Sequence, residues 1–150
     1  MKIVKALPED AGELSSIARS AKAHLGYPES WLKRWNELLT ITPEYISLNP
    51  TFCAVSGGHI VGFCALILRG GEAQLDHLWV LPSAFGMGAG RILFEWAEKF
   101  ARDSRAAILR VESDPHAEEF YIHMGATRCG QVSAEIDGHE RFLPLLEKAL

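Results

Sequence analysis

The chain has 150 residues, of which 48% are hydrophobic and 23% are charged, and its formal net charge is −4. This length predicts one domain, residues 1–150, that is large enough to bury its own core. The negative charge argues against nucleic acid or an anionic membrane as the main partner, and no apolar run has the length of a transmembrane helix or forms a signal peptide.

The first third of the chain predicts one strand followed by three helices. A helical face is recognised by apolar residues at positions i, i+3, i+4 and i+7, and helix starts by capping residues and by proline in the first turn. The predicted elements are a strand over residues 2–7, a helix that buries Leu14, Ile17, Ala18 and Ala21, a helix capped by Ser30 that carries Trp35 on its apolar face, and a short helix that begins at Thr42 and Pro43.

Three strands follow and predict an antiparallel meander. Residues 51–55 and 60–68 flank the segment Ser56-Gly57-Gly58-His59, which is a strong hairpin signal. A second turn at Gly70 and Gly71 precedes the third strand, over residues 73–80.

The second half predicts a long helix, a strand, a short helix and two strands. Apolar residues recur with a helical period from Ala89 to Ala101, and acid-first pairs such as Glu95–Lys99 occupy the opposite face. The remaining predicted elements are a buried strand over residues 107–111, a helix from Asp114 to about Met124, and strands over 127–132 and 142–146, the last weakened by Pro144. The order predicts an α/β fold in which a meander leads into a βαβ crossover, with helices on both faces of a mixed sheet.

The segment between the meander and the long helix is VLPSAFGMGAGR, residues 80–91. Its alternating glycines, Gly86, Gly88 and Gly90, bring several backbone N–H groups to the start of a helix, which is a favourable site for a phosphate. The glycines are not followed by the Lys-Ser/Thr of a Walker loop, and Arg91 interrupts the spacing of a Rossmann fingerprint. The alternative is a turn that needs glycine only for its backbone angles.

Two segments together resemble the GCN5-related N-acetyltransferase (GNAT) superfamily. Residues 80–90 are similar to its Val-x-Pro and glycine-rich motif, and residues 114–126, DPHAEEFYIHMGA, to its second signature. The element order extends the resemblance over essentially the whole chain. One departure is Phe85, which stands where the family usually has Gln or Arg and removes a side-chain contact to the phosphates.

The resemblance implies that acetyl-CoA lies between two splayed parallel strands, residues 73–80 and 107–112. The pantetheine would pair with the backbone of the first strand, and the pyrophosphate would lie on the glycine-rich segment. Arg91 is either a phosphate ligand or a surface arginine, and Asp114 either lies near the cofactor or only caps the next helix. The implied cofactor residues are Trp79, Val80, Phe85, Gly86, Met87, Gly88, Ala89, Gly90, Arg91 and Asp114.

Tyr121 matches the family's general acid, which protonates the departing thiolate. The alternative is a core aromatic residue; we expect Phe120 to serve the core while Tyr121 faces the cleft. Candidates for the base that deprotonates the amine are Asp76, His77 and Glu112. Strand alternation predicts that Asp76 and His77 point to opposite faces, and a chain of waters is an alternative base.

The acceptor site is implied beside the variable helices near the N-terminus. His24, Tyr27 and Trp31 would wall it, while Trp35 shares a face with core leucines, and Arg141 is a candidate partner for a carboxylate. The acceptor is predicted to be a primary amine of a small molecule or peptide, and its identity stays open. Fold alone does not determine a substrate.

The resulting prediction is an acetyl-CoA-dependent N-acetyltransferase that acts by direct attack in a ternary complex, without a metal or a covalent enzyme intermediate. A non-catalytic acyl-CoA-binding sensor on the same fold is the alternative, and a module that binds no cofactor is a third. Cys53, Cys64 and Cys129 are expected to be reduced core thiols of a cytoplasmic protein. Edge strands at the C-terminus are candidates for pairing into a homodimer.

Overall fold

The computed structural model describes residues 1–150. The segments with strand and helix periodicity fold into seven strands and five α-helices. Three short 3-10 turns, each beginning at a proline, lie between them. The elements are β1 (Lys2–Lys5), α1 (Ala11–Ala23), α2 (Glu29–Arg34), α3 (Pro43–Leu48), β2 (Thr51–Ser56), β3 (His59–Arg69), β4 (Glu72–Val80), α4 (Ala89–Asp103), β5 (Ile108–Glu112), α5 (Glu118–His123), β6 (Thr127–Ile136) and β7 (His139–Ala149).

The strands form one mixed sheet in the order β1-β2-β3-β4-β5-β7-β6. Strands β2, β3 and β4 pair antiparallel, and β4 and β5 are the one parallel pair, joined through α4. The predicted element order, the meander and the βαβ crossover are therefore confirmed.

Each face of the sheet carries its own hydrophobic core. Helix α4 covers one face through Leu93, Phe94 and Ala97, and α1 with α3 covers the other, where Leu14 and Ile17 pack in the same cluster as residues of β2 and β3. Phe94 lies outside the face predicted from periodicity, yet it is fully buried. The predicted placement of helices on both faces is confirmed.

Strands β4 and β5 are paired only at their beginnings, over Glu72–Gln74 and Ile108–Arg110. Just beyond this point the register of β4 against β3 shifts, since Leu66 faces Leu75 but Ala65 faces His77. Asp76 is thus the extra residue of a β-bulge, and a bulge bends its strand and increases the local twist. The two parallel strands separate from here to Val80, and the gap between them opens at the carboxyl ends of both strands.

Three local expectations were wrong. Ser30 does not cap α2, because the helix begins one residue earlier and Pro28 occupies the cap. Strand β7 is long and lies inside the sheet, between β5 and β6. Pro144 does not interrupt it, because its carbonyl accepts a hydrogen bond from Ser113 N at 2.9 Å. The C-terminal edge is therefore formed by β6 alone. Cys129 is exposed at a bulge of β6, whereas Cys53 and Cys64 are buried as expected.

None of the helices combines the length and the apolar composition that crossing a membrane requires.

Candidate functional site

The segment from Phe85 to Gly90, here called the glycine loop, uses its glycines for different reasons. Gly86 and Gly88 both have φ of +83°, a region that is costly for residues with a side chain. Gly90 has ordinary angles, but a Cβ there would lie 3.4 Å from the Phe120 ring. The first two glycines shape the turn, and the third allows α5 to approach α4.

The loop ends in a row of unpaired backbone donors. The first backbone bond of α4 runs from Ile92 N to Gly88 O at 3.0 Å, and the N–H groups of Gly88, Ala89, Gly90 and Arg91 find no acceptor in the protein. Unpaired donors at a helix N-terminus, reinforced by the helix dipole, bind anions. This geometry agrees with the phosphate site predicted from the sequence.

A cleft of about 500 Å³ runs from the glycine loop along the carboxyl end of β4 to α5. Most of its lining is apolar, and the end of α1, the C-terminal half of β4, the glycine loop and α5 all contribute to it. The lining residues are Ala21, Leu25, Leu78, Trp79, Val80, Ala84, Phe85, Gly86, Gly88, Ala89, Gly90, Arg91, Asp114, His116, Ala117, Phe120 and Tyr121.

Tyr121 is a buried residue in the lining of this cleft. The residue is 7% exposed and packs against the rings of Phe94 and Phe120. Its hydroxyl has no hydrogen-bond partner in the protein and is open to the cleft, because every fully buried polar side-chain atom is paired. Burial raises the pKa of this hydroxyl, so it keeps its proton at neutral pH. Phe120 also lines the cleft, so the expected division between a core Phe120 and a cleft-facing Tyr121 was wrong: Tyr121 does both.

The side chains around the glycine loop contribute less than its backbone. Arg91 is three-quarters exposed and donates to Glu95 at 2.7 Å, so Glu95 does not form the predicted pair with Lys99. The Phe85 ring meets His24 edge-on with ring centroids 5.2 Å apart, at the rim of the cleft. Met87 is exposed and lies outside the lining.

Asp76 and His77 point to the same side of the sheet, which corrects the alternation argument. The bulge at Asp76 breaks the two-residue period, and the carboxylate lies 3.6 Å from His77 Nε2. Tyr45 of α3 donates to Asp76 at 2.5 Å and packs against the His77 ring. Neither Asp76 nor His77 lines the cleft.

The tautomer of His77 follows from its neighbours. Trp79 Nε1 lies 3.0 Å from His77 Nδ1, and since an indole N–H only donates, this imidazole nitrogen accepts. The remaining nitrogen, Nε2, then carries the hydrogen and faces Asp76. Burial lowers the pKa of His77, and the Asp76 charge only partly opposes this, so the ring is neutral and its basic nitrogen is already engaged.

Glu112, the third candidate base, is exposed at the end of β5 and lies outside the cleft lining. Its neighbours Leu109 and Val111 face the α4 core, and alternation therefore directs Glu112 to the opposite face.

Asp114 is the centre of a polar cluster formed by Lys22, Tyr27, Asp114, His116 and Arg141, here called the Asp114 cluster. Lys22 Nζ donates to Asp114 at 2.7 Å and Tyr27 at 2.9 Å, while His116 N donates to the other carboxylate oxygen, which is the expected helix cap. Burial opposes ionisation of Asp114, but the hydrogen bond and charge of Lys22, together with the hydrogen bonds of His116, outweigh it and hold its pKa at about 2. Asp114 thus both caps a turn and lines the cleft.

An aromatic group surrounds the cations of the cluster. Tyr27 stacks on Trp31 and meets Trp35 edge-on, so Trp35 belongs to this group as well as to the core. Lys22 Nζ lies 4.2 Å from the centre of Trp35, and the Arg141 guanidinium lies 5.0 Å from that of Tyr27. Tyr27, Trp31 and Arg141, predicted at the acceptor site from distant parts of the chain, are brought together, whereas His24 lies apart from them beside Phe85.

Lys22 is the functional candidate that sequence reasoning missed. It lies four residues after the buried Ala18, at the edge of the apolar face of α1, and is almost fully covered. Burial lowers the pKa of its ammonium, Asp114 opposes this, and the charge of Arg141 lowers it further. The sequence signal that could have identified Lys22 is its position, four residues after a buried residue on the apolar face of α1.

Comparison with known proteins agrees with this architecture. The model of the acetyltransferase (GNAT) family matches residues 17–126. A search of curated proteins by sequence finds no match. Among solved structures, a protein of Rhodopseudomonas palustris described as a GCN5-related N-acetyltransferase is similar, with 26% identity, a TM-score of 0.85, and coverage of 99% of this chain and 95% of that one.

Two more distant structures share the fold. The PaiA N-acetyltransferase of Thermoplasma acidophilum, solved in complex with coenzyme A, has 20% identity, a TM-score of 0.77, and coverage of 99% and 98% of the two chains. A ribosomal-protein-alanine N-acetyltransferase of Brucella melitensis has 21% identity, a TM-score of 0.75, and coverage of 100% of both. At this identity the likeness extends to the fold alone.

Proposed function

Because the chain belongs to the GNAT acetyltransferase family, we propose that it transfers the acetyl group of acetyl-CoA to a primary amine of a small molecule or peptide. The observation that carries this proposal is a single continuous cleft, which begins at the unpaired N–H groups of the glycine loop and ends at the Tyr121 hydroxyl. Such a cleft offers an anion site and a proton donor to one elongated molecule.

The residues present fit the cofactor. The N–H groups of residues 88–91 suit its pyrophosphate, and Gly86 and Gly88 carry no side chain that would cover them. Beyond Gln74, the side of β4 that faces β5 has no partner strand, so the backbone at Trp79 and Val80 can pair with the amides of pantetheine. Phe85 contributes no charge, which makes the backbone donors the main phosphate ligands.

When bound, acetyl-CoA supplies an activated thioester and a thiolate leaving group. Tyr121 holds a proton on its hydroxyl inside the cleft, and its raised pKa keeps that proton available at neutral pH. The lining of the cleft is mostly apolar, and Phe120 and Ala117 lie in it close to Tyr121 in sequence. We assign Tyr121 the role of general acid.

The amine must lose a proton before it attacks. His77 Nδ1 is engaged by Trp79, and Asp76 is engaged by Tyr45. Since Asp76, His77 and Glu112 all lie outside the cleft lining, we propose that the proton leaves through water and not by direct contact with one of these side chains.

The proposal is tested by incubating the protein with acetyl-CoA and a panel of primary amines, while thiol release and acetylated products are measured. The expected result is thiol release that depends on the amine and is matched by acetylated product. Binding of acetyl-CoA with no turnover on any amine would contradict the proposed acetyltransferase activity and favour a non-catalytic acyl-CoA sensor.

A further inference from the structure

We infer that the acceptor amine carries a carboxylate, and that Arg141 together with Lys22 binds this group beside the cleft. The inference rests on the proposed function and names the substrate class of the same site: small amino acids and related carboxylate-bearing amines. It is carried by an imbalance of charge and of hydrogen-bond donors in the Asp114 cluster.

The cluster holds two cations and one anion in a largely covered place. The side chains of Lys22, Asp114 and Arg141 are only 11%, 11% and 12% exposed. Lys22 and Arg141 contribute two positive charges and Asp114 one negative charge, so these three side chains carry a net charge of +1. Covered charges are normally balanced by a partner, and one carboxylate would balance this one.

Asp114 cannot satisfy Arg141 as well as Lys22. One carboxylate oxygen accepts from Lys22 at 2.7 Å and from Tyr27 at 2.9 Å, and the other accepts from the backbone of His116 at 2.9 Å. The nearest nitrogen of Arg141 is 3.8 Å from the carboxylate, which is beyond hydrogen-bonding distance. Asp114 therefore gives Arg141 only a long ion pair, and the guanidinium has no hydrogen-bonded anion within the protein.

Arg141 has donors to spare. Its one hydrogen bond runs from Nη2 to the Tyr27 hydroxyl at 2.8 Å, so Nε and Nη1 have no acceptor. Every fully buried polar side-chain atom is paired, hence these two nitrogens are accessible. A guanidinium binds a carboxylate through a pair of parallel hydrogen bonds.

The aromatic group holds the guanidinium in place for such a ligand. Its carbon lies 5.0 Å from the ring centre of Tyr27 and 4.9 Å from that of Trp35. A side chain fixed in this way loses little freedom on binding, which raises affinity for an anion of matching shape. The same positive charge disfavours polyamines and other acceptors without an anionic group.

The position of the cluster connects this anion site to the reaction. Asp114 and His116 belong to both the cluster and the cleft lining. A molecule whose carboxylate reaches Arg141 therefore has its remaining atoms at the wall of the cleft, and an amine a few bonds from the carboxylate can enter it.

The test compares matched acceptors on the wild-type protein, so it does not depend on any variant folding. Thiol release is measured with amino acids, their primary carboxamides, and the aminophosphonate analogues, while acetyl-CoA binding is measured by calorimetry in the same samples. We expect kcat/KM for the acids to exceed that for the carboxamides by roughly 10- to 100-fold, the range for losing hydrogen bonds to a charged group. Aminophosphonates that match or exceed the acids would overturn the assignment to a carboxylate.

Two variants locate the effect. Arg141→Gln should abolish the preference for acids over carboxamides and leave acetyl-CoA affinity within about twofold, since backbone groups hold the cofactor. The control is Arg102→Gln, which removes an exposed arginine paired with Glu98 on α4 and should retain the preference.

The outcomes separate the two proposals. Acetyl-CoA binding with equal use of acids and carboxamides, or with use of neither while other amines are acetylated, overturns the carboxylate inference alone. A preference that survives Arg141→Gln overturns the role of Arg141. Absence of acetyl-CoA binding overturns both the proposed function and the inference.

Discussion

The Tyr121 hydroxyl occupies the cleft without a hydrogen-bond partner, which makes its catalytic role separable from its packing. Tyr121→Phe keeps the ring against Phe94 and removes only the hydroxyl. We expect kcat to fall by roughly 100-fold or more, the contribution of a general acid, with acetyl-CoA affinity unchanged. Steady-state kinetics and calorimetry on the same preparation measure both quantities. An unchanged kcat would remove Tyr121 from the mechanism.

For His77, in contrast to Tyr121, we predict only a small effect of substitution on kcat. Its basic nitrogen accepts from Trp79, and its pKa is lowered chiefly by burial. His77→Gln should therefore reduce kcat less than about tenfold, because a positioned base contributes much more than that. The pH profile of kcat/KM should also keep its shape. Loss of an ionisation from that profile in the variant would identify His77 as the base after all.

Asp114 also contributes to the free energy of unfolding, through its ion pairs in the Asp114 cluster. Asp114→Asn leaves Lys22 and Arg141 without a nearby anion and should destabilise the fold by about 3 kcal/mol, the cost of removing one partner from a covered ion pair. Asp103→Asn is the control, since its pair with Lys99 is exposed on both sides and should cost about 0.5 kcal/mol. Denaturant unfolding at neutral pH measures both. Equal losses in the two variants would refute the central role of Asp114.

The same carboxylate predicts a pH dependence. The pKa of Asp114 falls from 3.8 to about 2 on folding, so the folded state binds the proton less tightly than the unfolded state. Its stabilisation is therefore complete above about pH 4 and is lost as the pH falls towards about 2. The stability difference between the wild type and Asp114→Asn should shrink over that interval. A difference that stays constant would contradict the assigned ionisation.

At the scale of elements, the glycine loop offers a matched comparison. Gly88 and Gly58 have nearly the same backbone angle, φ of +83° and +80°, and a Cβ would meet nothing at either position. Gly88→Ala and Gly58→Ala should each cost about 1 kcal/mol of stability from left-handed strain. Only Gly88→Ala should also weaken acetyl-CoA binding, because it alters the row of N–H donors. Equal affinities in both variants would show that the loop is only a turn.

Sequence periodicity predicted most elements but not the local irregularities that form the site. The long helix, the hairpin at Gly57 and Gly58 and the crossover follow from short-range patterns and turn chemistry. The bulge at Asp76 depends on how β4 pairs with β3, and periodicity within one strand cannot report it. It reverses the expected direction of a side chain and separates β4 from β5.

At the scale of the whole molecule, the Asp114 cluster was harder to predict from the sequence than the bulge at Asp76. Lys22 contacts Asp114 across 92 positions of sequence, and Arg141 reaches Tyr27 across 114. No local pattern reports contacts of this length, so the ion pair between Lys22 and Asp114 was missed and Arg141 was only a candidate. The cofactor site was predictable because its motifs are contiguous, whereas the acceptor site is assembled from α1, the turn after β5, and β7.

The central claim, that the cleft binds acetyl-CoA, is tested most directly by thermal unfolding with acetyl-CoA, CoA and NAD added separately. A ligand at one hundred times its Kd adds about 2.7 kcal/mol to the stability of the native state, which for a chain of this length raises Tm by about 5–10 °C. We predict such a rise with acetyl-CoA and with CoA, and none with NAD. No rise with either CoA species, or an equal rise with NAD, would contradict the assignment.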